Sequence, residues 1–255
     1  MSEFGLIDTH AHICDPIFDA DRKAVLERAI SAGICAIVAV GENLADAERN
    51  LALSEEFPIL RPAAGLYPAL IDPVQAETII ALIRKERGRL KAIGEVGLDH
   101  WVTKEAKDLS VQKEIFGRFI ELSLELDLPL NVHSRSAGRH AVSLLLEKGA
   151  KKVQLHAFDG KASSAHPAIE AGYFFSIPPS IVRSAQKQKL VKHLPLSCLL
   201  VETDSPVLGP EPGIRNEPAA LMTAVSAIAT LKQVSEEKVL SHVTENTRRL
   251  YGDDI

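Results

Sequence analysis

Gly5-Leu6-Ile7-Asp8-Thr9-His10-Ala11-His12 is a short apolar run that ends in a cluster of polar, metal-capable side chains. The same arrangement returns along the chain. Short apolar, β-branched runs fall at 5–8, 35–40, 60–64, 92–95, 130–133, 153–156, 173–176 and 199–202. Several lack the polar alternation of a half-exposed strand, and near-continuous apolar runs suit strands buried on both faces of a parallel sheet. Between them lie amphipathic segments. Residues 22–32 place Val25, Leu26, Ala29 and Ile30 on one stripe; 111–126 do the same with Ile115, Phe119, Leu122 and Leu126. Helices are also predicted over 73–87, 139–148, 184–193, 217–232 and 235–251, the last opening on the capping residue Ser235. Gly33, Gly88, Gly149 and Gly172 stand where helices should stop. Eight strands alternating with helices over 255 residues predict an α/β fold, a (β/α)8 TIM barrel occupying 1–255 as one domain. An open doubly wound sheet is the alternative.

Composition narrows the function. The chain is 46% hydrophobic and 25% charged, the proportions of a soluble globular protein. Its 29 Lys+Arg against 34 Asp+Glu give a net charge of −5, which supports no broad nucleic-acid footprint but leaves room for a local basic rim. Cys14, Cys35 and Cys198 cannot all pair and form no CxxC, which points to a reducing compartment. No stretch reaches the roughly 20 apolar residues of a membrane helix. Met1-Ser2-Glu3-Phe4 lacks the basic flank of a secretory signal, so a cytoplasmic location is expected and no membrane or obligate protein partner is implied.

In a parallel barrel, catalytic groups stand at the C-terminal ends of strands. His10 and His12, two apart in an extended segment, face the same way and can share one ion. The fourth run ends in Gly94-Glu95-Val96-Gly97-Leu98-Asp99, the fifth in His133-Ser134-Arg135, the sixth in His156, and the eighth in Glu202-Thr203-Asp204-Ser205-Pro206. The second, third and seventh offer no such ligand. A lone strand-end histidine is more often a hydrogen-bonded structural residue. Five strand ends converging on one barrel mouth are different. Four imidazoles and two carboxylates exceed the needs of one tetrahedral ion, which implies two ions sharing a carboxylate.

The order of these motifs resembles the amidohydrolase superfamily, and within it the TatD family of metal-dependent hydrolases and deoxyribonucleases. Asp8–His12, Gly94–Asp99, Glu202–Pro206 and Arg215-Asn216-Glu217-Pro218 carry the likeness from one end of the chain to the other. The strings at 131–138 (NVHSRSAG), 155–160 (LHAFDG) and 173–192 (YFFSIPPSIVRSAQKQKLVK) are similar to the subgroup containing the animal TatD DNase domain-containing protein 3. The resemblance implies one ion held by His10, His12 and Asp204, a second by His133 and His156, and Glu95 as the bridge. Two divalent metal ions are therefore expected, Zn²⁺ by the mixed N/O donors, with Mn²⁺ or Mg²⁺ as alternatives.

Asp204 is then the candidate to orient the attacking water and carry its proton. Glu202, two residues earlier, either assists that transfer or is structural. Asp99 is expected to orient a ligand histidine or a cationic side chain. Arg135 is read as a phosphate ligand or as a salt-bridge residue. Trp101, the single tryptophan, is read as a pocket wall, a base-stacking surface or a packing residue. TatD proteins usually carry Gly-x-His-Pro after the third strand; Gly65-Leu66-Tyr67-Pro68 replaces that histidine with Tyr67, which can stack and donate but cannot be an imidazolium. Cys14 is assigned to packing; Arg183, Lys187, Lys189 and Lys192 are read as a solvated helix face, with a phosphate rim as the alternative. The leading expectation is a phosphodiester-cleaving DNA nuclease. The alternatives are a metal hydrolase of an amide, lactone, phosphotriester or aminoacyl-RNA ester, and a non-enzymatic metal-stabilised barrel.

Overall fold

Apolar runs too short for helices form the eight strands of the computed structural model, which describes residues 5–255; the expectation drawn from Met1–Phe4 lies outside them. The strands are β1 (Leu6–Ala11), β2 (Ile34–Ala39), β3 (Leu60–Ala64), β4 (Ala92–Gly97), β5 (Leu130–His133), β6 (Val153–His156), β7 (Phe174–Ile177) and β8 (Leu199–Val201). They pair in parallel and in sequence order. β8 returns to β1 through the residues that follow it. The Asp204 N–H donates to the His10 carbonyl at 2.8 Å, and the His12 N–H donates to the Ser205 carbonyl at 2.8 Å. The sheet is thus a (β/α)8 barrel rather than the open sheet weighed against it.

The helices are α1 (Arg22–Ser31), α2 (Leu44–Glu56), α3 (Pro73–Lys85), α4 (Ala106–Leu126), α5 (Gly138–Glu147), α6 (Ala162–Glu170), α7 (Ala185–His193), α8 (Leu221–Lys232) and α9 (Glu236–Tyr251). Two were not predicted. α2 starts on Asn43, whose side chain accepts from the Asp46 N–H. α6 carries Pro167 inside it, a residue that reads as a breaker because it lacks an N–H. α4 begins five residues before the predicted 111, since its first turn is polar and lies outside the apolar stripe. The segment predicted from 217 opens as a 3-10 turn at Pro218–Ala220 before α8.

Gly33, Gly149 and Gly172 take the positive φ that ends a helix with least strain. Gly88 does not, because α3 has already stopped at Lys85. Ser235 caps α9 by accepting from the Lys238 N–H.

The layer between strands and helices is apolar, with Ile37, Ile79, Phe119, Leu145 and Ile228 wholly buried. The barrel also encloses a polar network. Tyr251, the last residue of α9, donates to Gln154 Oε1 at 2.5 Å, and Asn131 Nδ2 donates to the Tyr251 hydroxyl at 3.3 Å. Asn131 Nδ2 also reaches the Thr9 carbonyl at 2.9 Å. Asp8 accepts from the Thr203 N–H at 2.9 Å and the Thr203 hydroxyl at 2.5 Å, tying β1 to the loop after β8.

Candidate metal centre

At the end of β1, His10 Nε2 and His12 Nε2 lie 3.2 Å apart. Asp204, just past β8, brings Oδ1 to 3.4 Å from the first and 3.5 Å from the second. β4 sets Glu95 between this group and another. Its Oε2 is 3.3 Å from His12 Nε2 and 3.9 Å from His10 Nε2. Its Oε1 is 2.5 Å from His133 Nδ1 and 3.1 Å from His156 Nε2, which are 3.3 Å from each other. Donors bound tetrahedrally at 2.0–2.1 Å stand about 3.3 Å apart. Apart from the 2.5 Å His133–Glu95 contact, most of these separations are close to the spacing of ligands around a cation, and one carboxylate oxygen of Glu95 faces each group. The donor set suits divalent metal.

Hydrogen bonds behind the imidazoles hold their orientation. His10 Nδ1–H donates to Asn131 Oδ1 at 2.8 Å, leaving Nε2 as the free donor atom. His133 is reversed: its Nε2–H donates to Asp99 Oδ2 at 3.1 Å, and Nδ1 faces Glu95. Asp99 also accepts from the Tyr67 hydroxyl at 2.9 Å and from the Trp101 and Val102 N–H groups at 2.7 and 2.9 Å. β4 and β5 meet closely here, and a Cβ on Gly97, at φ 147°, would fall 2.1 Å from the His133 carbonyl oxygen.

Glu202, read either as assisting the water or as structural, is wholly buried and accepts from the Ser176 hydroxyl at 2.5 Å and the Ala157 N–H at 2.8 Å. Its Oε1 stands 3.7 Å behind His156 Nδ1, a nitrogen with no hydrogen-bond partner. Cys14 is a packing residue, its thiol 3.5 Å from the Val40 carbonyl.

Electrostatics favours cations at the centre. Burial pushes the Glu95 carboxyl up, but the imidazoles of His133, His156 and His12 outweigh it and hold the group well below its ordinary value. Asp204 is likewise lowered against burial by hydrogen bonds from His10 and His12. Burial opposes protonation of His12, yet Asp204 and Glu95 raise it to about 10, and His156 is raised well above 6.5 by Glu95 and Glu202. In the metal-free chain protons supply the positive charge that these carboxylates demand.

The centre opens into a cavity of about 430 Å³ lined by His12, Glu95, His133, His156 and Asp204, with Glu42, Tyr67, Ser134, Arg135, Ala157, Asp159 and Lys187 among its other walls. Arg135 is exposed and stacks on the Trp101 ring, 5.2 Å from its centroid, and no carboxylate lies within salt-bridge distance of it among the described residues. Trp101 is 59% exposed, beside the cavity rather than in its wall. Tyr67 presents its ring to His133 at 5.1 Å, but its hydroxyl is committed to Asp99.

Two further charged side chains reach the wall. Glu42, two residues beyond Val40, comes in from the second strand end, where no site residue was expected; burial raises its carboxyl. Lys187 leaves the solvated face assigned to it, donating from Nζ to the Ala157 carbonyl at 3.0 Å. Burial lowers its ammonium, while Glu202, Asp204 and Asp159 oppose that shift. Lys189 and Lys192 are exposed as expected.

The family described as TatD related DNase matches residues 7–252. The human protein named Deoxyribonuclease TATDN3 is 45% identical over 261 aligned positions, spanning 97% of this chain and 94% of that one. A Bacillus subtilis protein named as the uncharacterized metal-dependent hydrolase YabD is 36% identical, across 96% of this chain and 98% of its own. The crystal structure of YJJV, a TatD homologue from Escherichia coli, superposes with a TM-score of 0.89 at 26% identity, covering 96% of this chain and 97% of that one.

Proposed function

Because this chain belongs to the TatD family of metal-dependent hydrolases, we propose that it is a deoxyribonuclease cleaving phosphodiester bonds at a pair of divalent ions. The observation that carries the reading is the division of Glu95, one oxygen toward His10 and His12, the other toward His133 and His156. His10, His12 and Asp204 would hold one ion and His133 and His156 the other, with Glu95 shared between them. The N/O donors favour Zn²⁺, with Mn²⁺ or Mg²⁺ also accommodated. Two such ions supply an activated water and polarise a phosphoryl oxygen when bound.

The chain's own residues do the rest. Asp204, kept ionised against burial, orients the water and accepts its proton. Asn131 and Asp99 hold His10 and His133 in register, and Glu202 sits behind His156 as a positioning group. Arg135 offers an uncommitted guanidinium to a phosphate at the cavity wall, with Trp101 and the Tyr67 ring as flat surfaces beside it. We read the chain as one domain working in the cytoplasm, consistent with there being no helix among the described residues long and apolar enough to cross a membrane.

The Glu42 carboxylate in the wall favours a second reading, in which the same centre attacks a neutral carboxyl ester or amide linkage, as in an amide, a lactone or the ester bond of an aminoacyl-RNA. A nuclease assay on end-labelled single strands with added Zn²⁺, Mn²⁺ or Mg²⁺ separates the two. Metal-dependent cleavage abolished in Asp204→Asn and Glu95→Ala is expected. Cleavage that survives both substitutions, or turnover only of neutral esters, overturns the nuclease reading.

A further inference from the structure

The end of β7 was expected to bring no metal ligand, yet α7 sends one side chain to the wall of the same cavity. Lys187 lies in the first turn of α7, its N–H held by the Ser184 hydroxyl at 3.3 Å, and its ammonium reaches the cavity wall beside His156 and Asp204. One N–H of the ammonium is used on the Ala157 carbonyl. Among the described residues no carboxylate oxygen stands within 4 Å of Nζ, so two of its donors have no fixed partner. Glu202, Asp204 and Asp159 act on the ammonium only from beyond contact distance, and a partly buried cation without a contacting counter-charge gains from a ligand that supplies one. A second observation points the same way. Ser134, 2% exposed and lining the same cavity, has a hydroxyl with no hydrogen-bond partner.

We infer that Lys187 is a substrate-binding residue of this centre, contacting a non-bridging oxygen of the phosphoryl group, with the Ser134 hydroxyl as a further donor. The inference rests on the phosphodiester reading above and adds to it a requirement for an anionic substrate. Lys187 follows β7 and Arg135 follows β5, so the two cations flank His156 at the end of β6. A phosphate at the ions then meets positive charge on both neighbouring strand ends. Charge-assisted contact of this kind grows as the phosphoryl group gains negative charge during attack, so Lys187 serves turnover as well as binding.

The rival role is structural. Ala157 holds a φ of 39°, unusual for a side chain with a Cβ, and Lys187 with Glu202 braces its peptide. Calorimetric binding of inorganic phosphate to the metal-loaded protein distinguishes the two roles without any cleavage. In Lys187→Met the phosphate Kd should rise about 10- to 100-fold at unchanged metal content, and Lys187→Arg should recover most of the loss. The kcat/KM for a phosphodiester should fall over the same range in Lys187→Met. A phosphate Kd equal in wild type and Lys187→Met, with a loss only of thermal stability or metal content, overturns the inference in favour of the brace. Failure of the wild type to bind phosphate overturns it as well. Lys187-dependent phosphate binding by a protein that cuts no nucleic acid would instead refute the nuclease reading and leave the anion contact standing.

Discussion

Glu95 is nearly inaccessible, and its two oxygens face four imidazoles, so its charge is compensated either by protons or by metal. That competition has a measurable sign. Without metal, His12 at about 10 and His156 well above its ordinary 6.5 are protonated at pH 7. Each must lose its proton to become a ligand, so loading releases protons and metal affinity climbs as pH rises toward the raised imidazole values. Calorimetry in two buffers of different ionisation enthalpy should register net proton release at pH 7; a count of zero contradicts the charge scheme. Asp99 acts one bond further out. Asp99→Ala removes the acceptor for His133 Nε2 and should weaken metal affinity or activity by about 10- to 100-fold. Tyr67→Phe deletes only one of the four hydrogen bonds that Asp99 accepts, and should keep metal content with a much smaller activity loss. Metal analysis of both variants beside their kcat/KM checks the ranking. These positions could be picked out in the sequence because each closes or directly follows an apolar run. Glu42 could not, because no ligand-like motif marks the end of β2, and Lys187 was legible only as one member of a basic run, because a lysine on a helix face carries no mark of where four methylenes will lead it.

Among the elements, strand positions were readable to within a few residues because uninterrupted apolar runs leave little choice of structure. β1 extends three residues beyond its predicted end, through Thr9, His10 and Ala11, and β4 two, through Val96 and Gly97. In β1 the polar side chains broke the apolar pattern without ending the strand, since the barrel closes around them. Helices were less legible where polar composition or proline hid them. α2 is the clearest case: its stripe of Ala47, Leu51 and Leu53 includes a buried Asn50, and its strongest local signal is the cap at Asn43. If that cap helps define the element, Asn43→Ala should destabilise the fold by about 1 kcal/mol, the usual cost of losing an N-terminal cap. Urea unfolding with an unchanged m-value would report it. A loss under a few tenths of a kcal/mol would show that packing alone holds α2.

Across the whole molecule, the far end of the chain is joined to the metal centre through the barrel interior. α9 ends in Tyr251, whose hydroxyl lies between Gln154 and Asn131, and Asn131 in turn accepts from His10 Nδ1. The chain must therefore fold to its last helix before the first ligand histidine is fully oriented, which is why we treat the barrel as one cooperative unit. Nothing in the local sequence around Tyr251 reveals this contact, because it depends on how α9 crosses the barrel and not on its own periodicity. Tyr251→Phe tests the link with almost no change of volume. It leaves the Gln154 carbonyl oxygen without its donor in a site closed to solvent, a loss that costs about 1–3 kcal/mol when no water replaces the partner. A single unfolding transition, shifted to lower denaturant by that amount with the m-value retained, is expected. The variant's metal affinity should fall as well, since Asn131 is freed to reorient and His10 loses a fixed acceptor. Reduced stability with wild-type metal affinity would show that the interior network supports the fold without setting the ligand geometry, and two separate transitions would show that the barrel is not one unit.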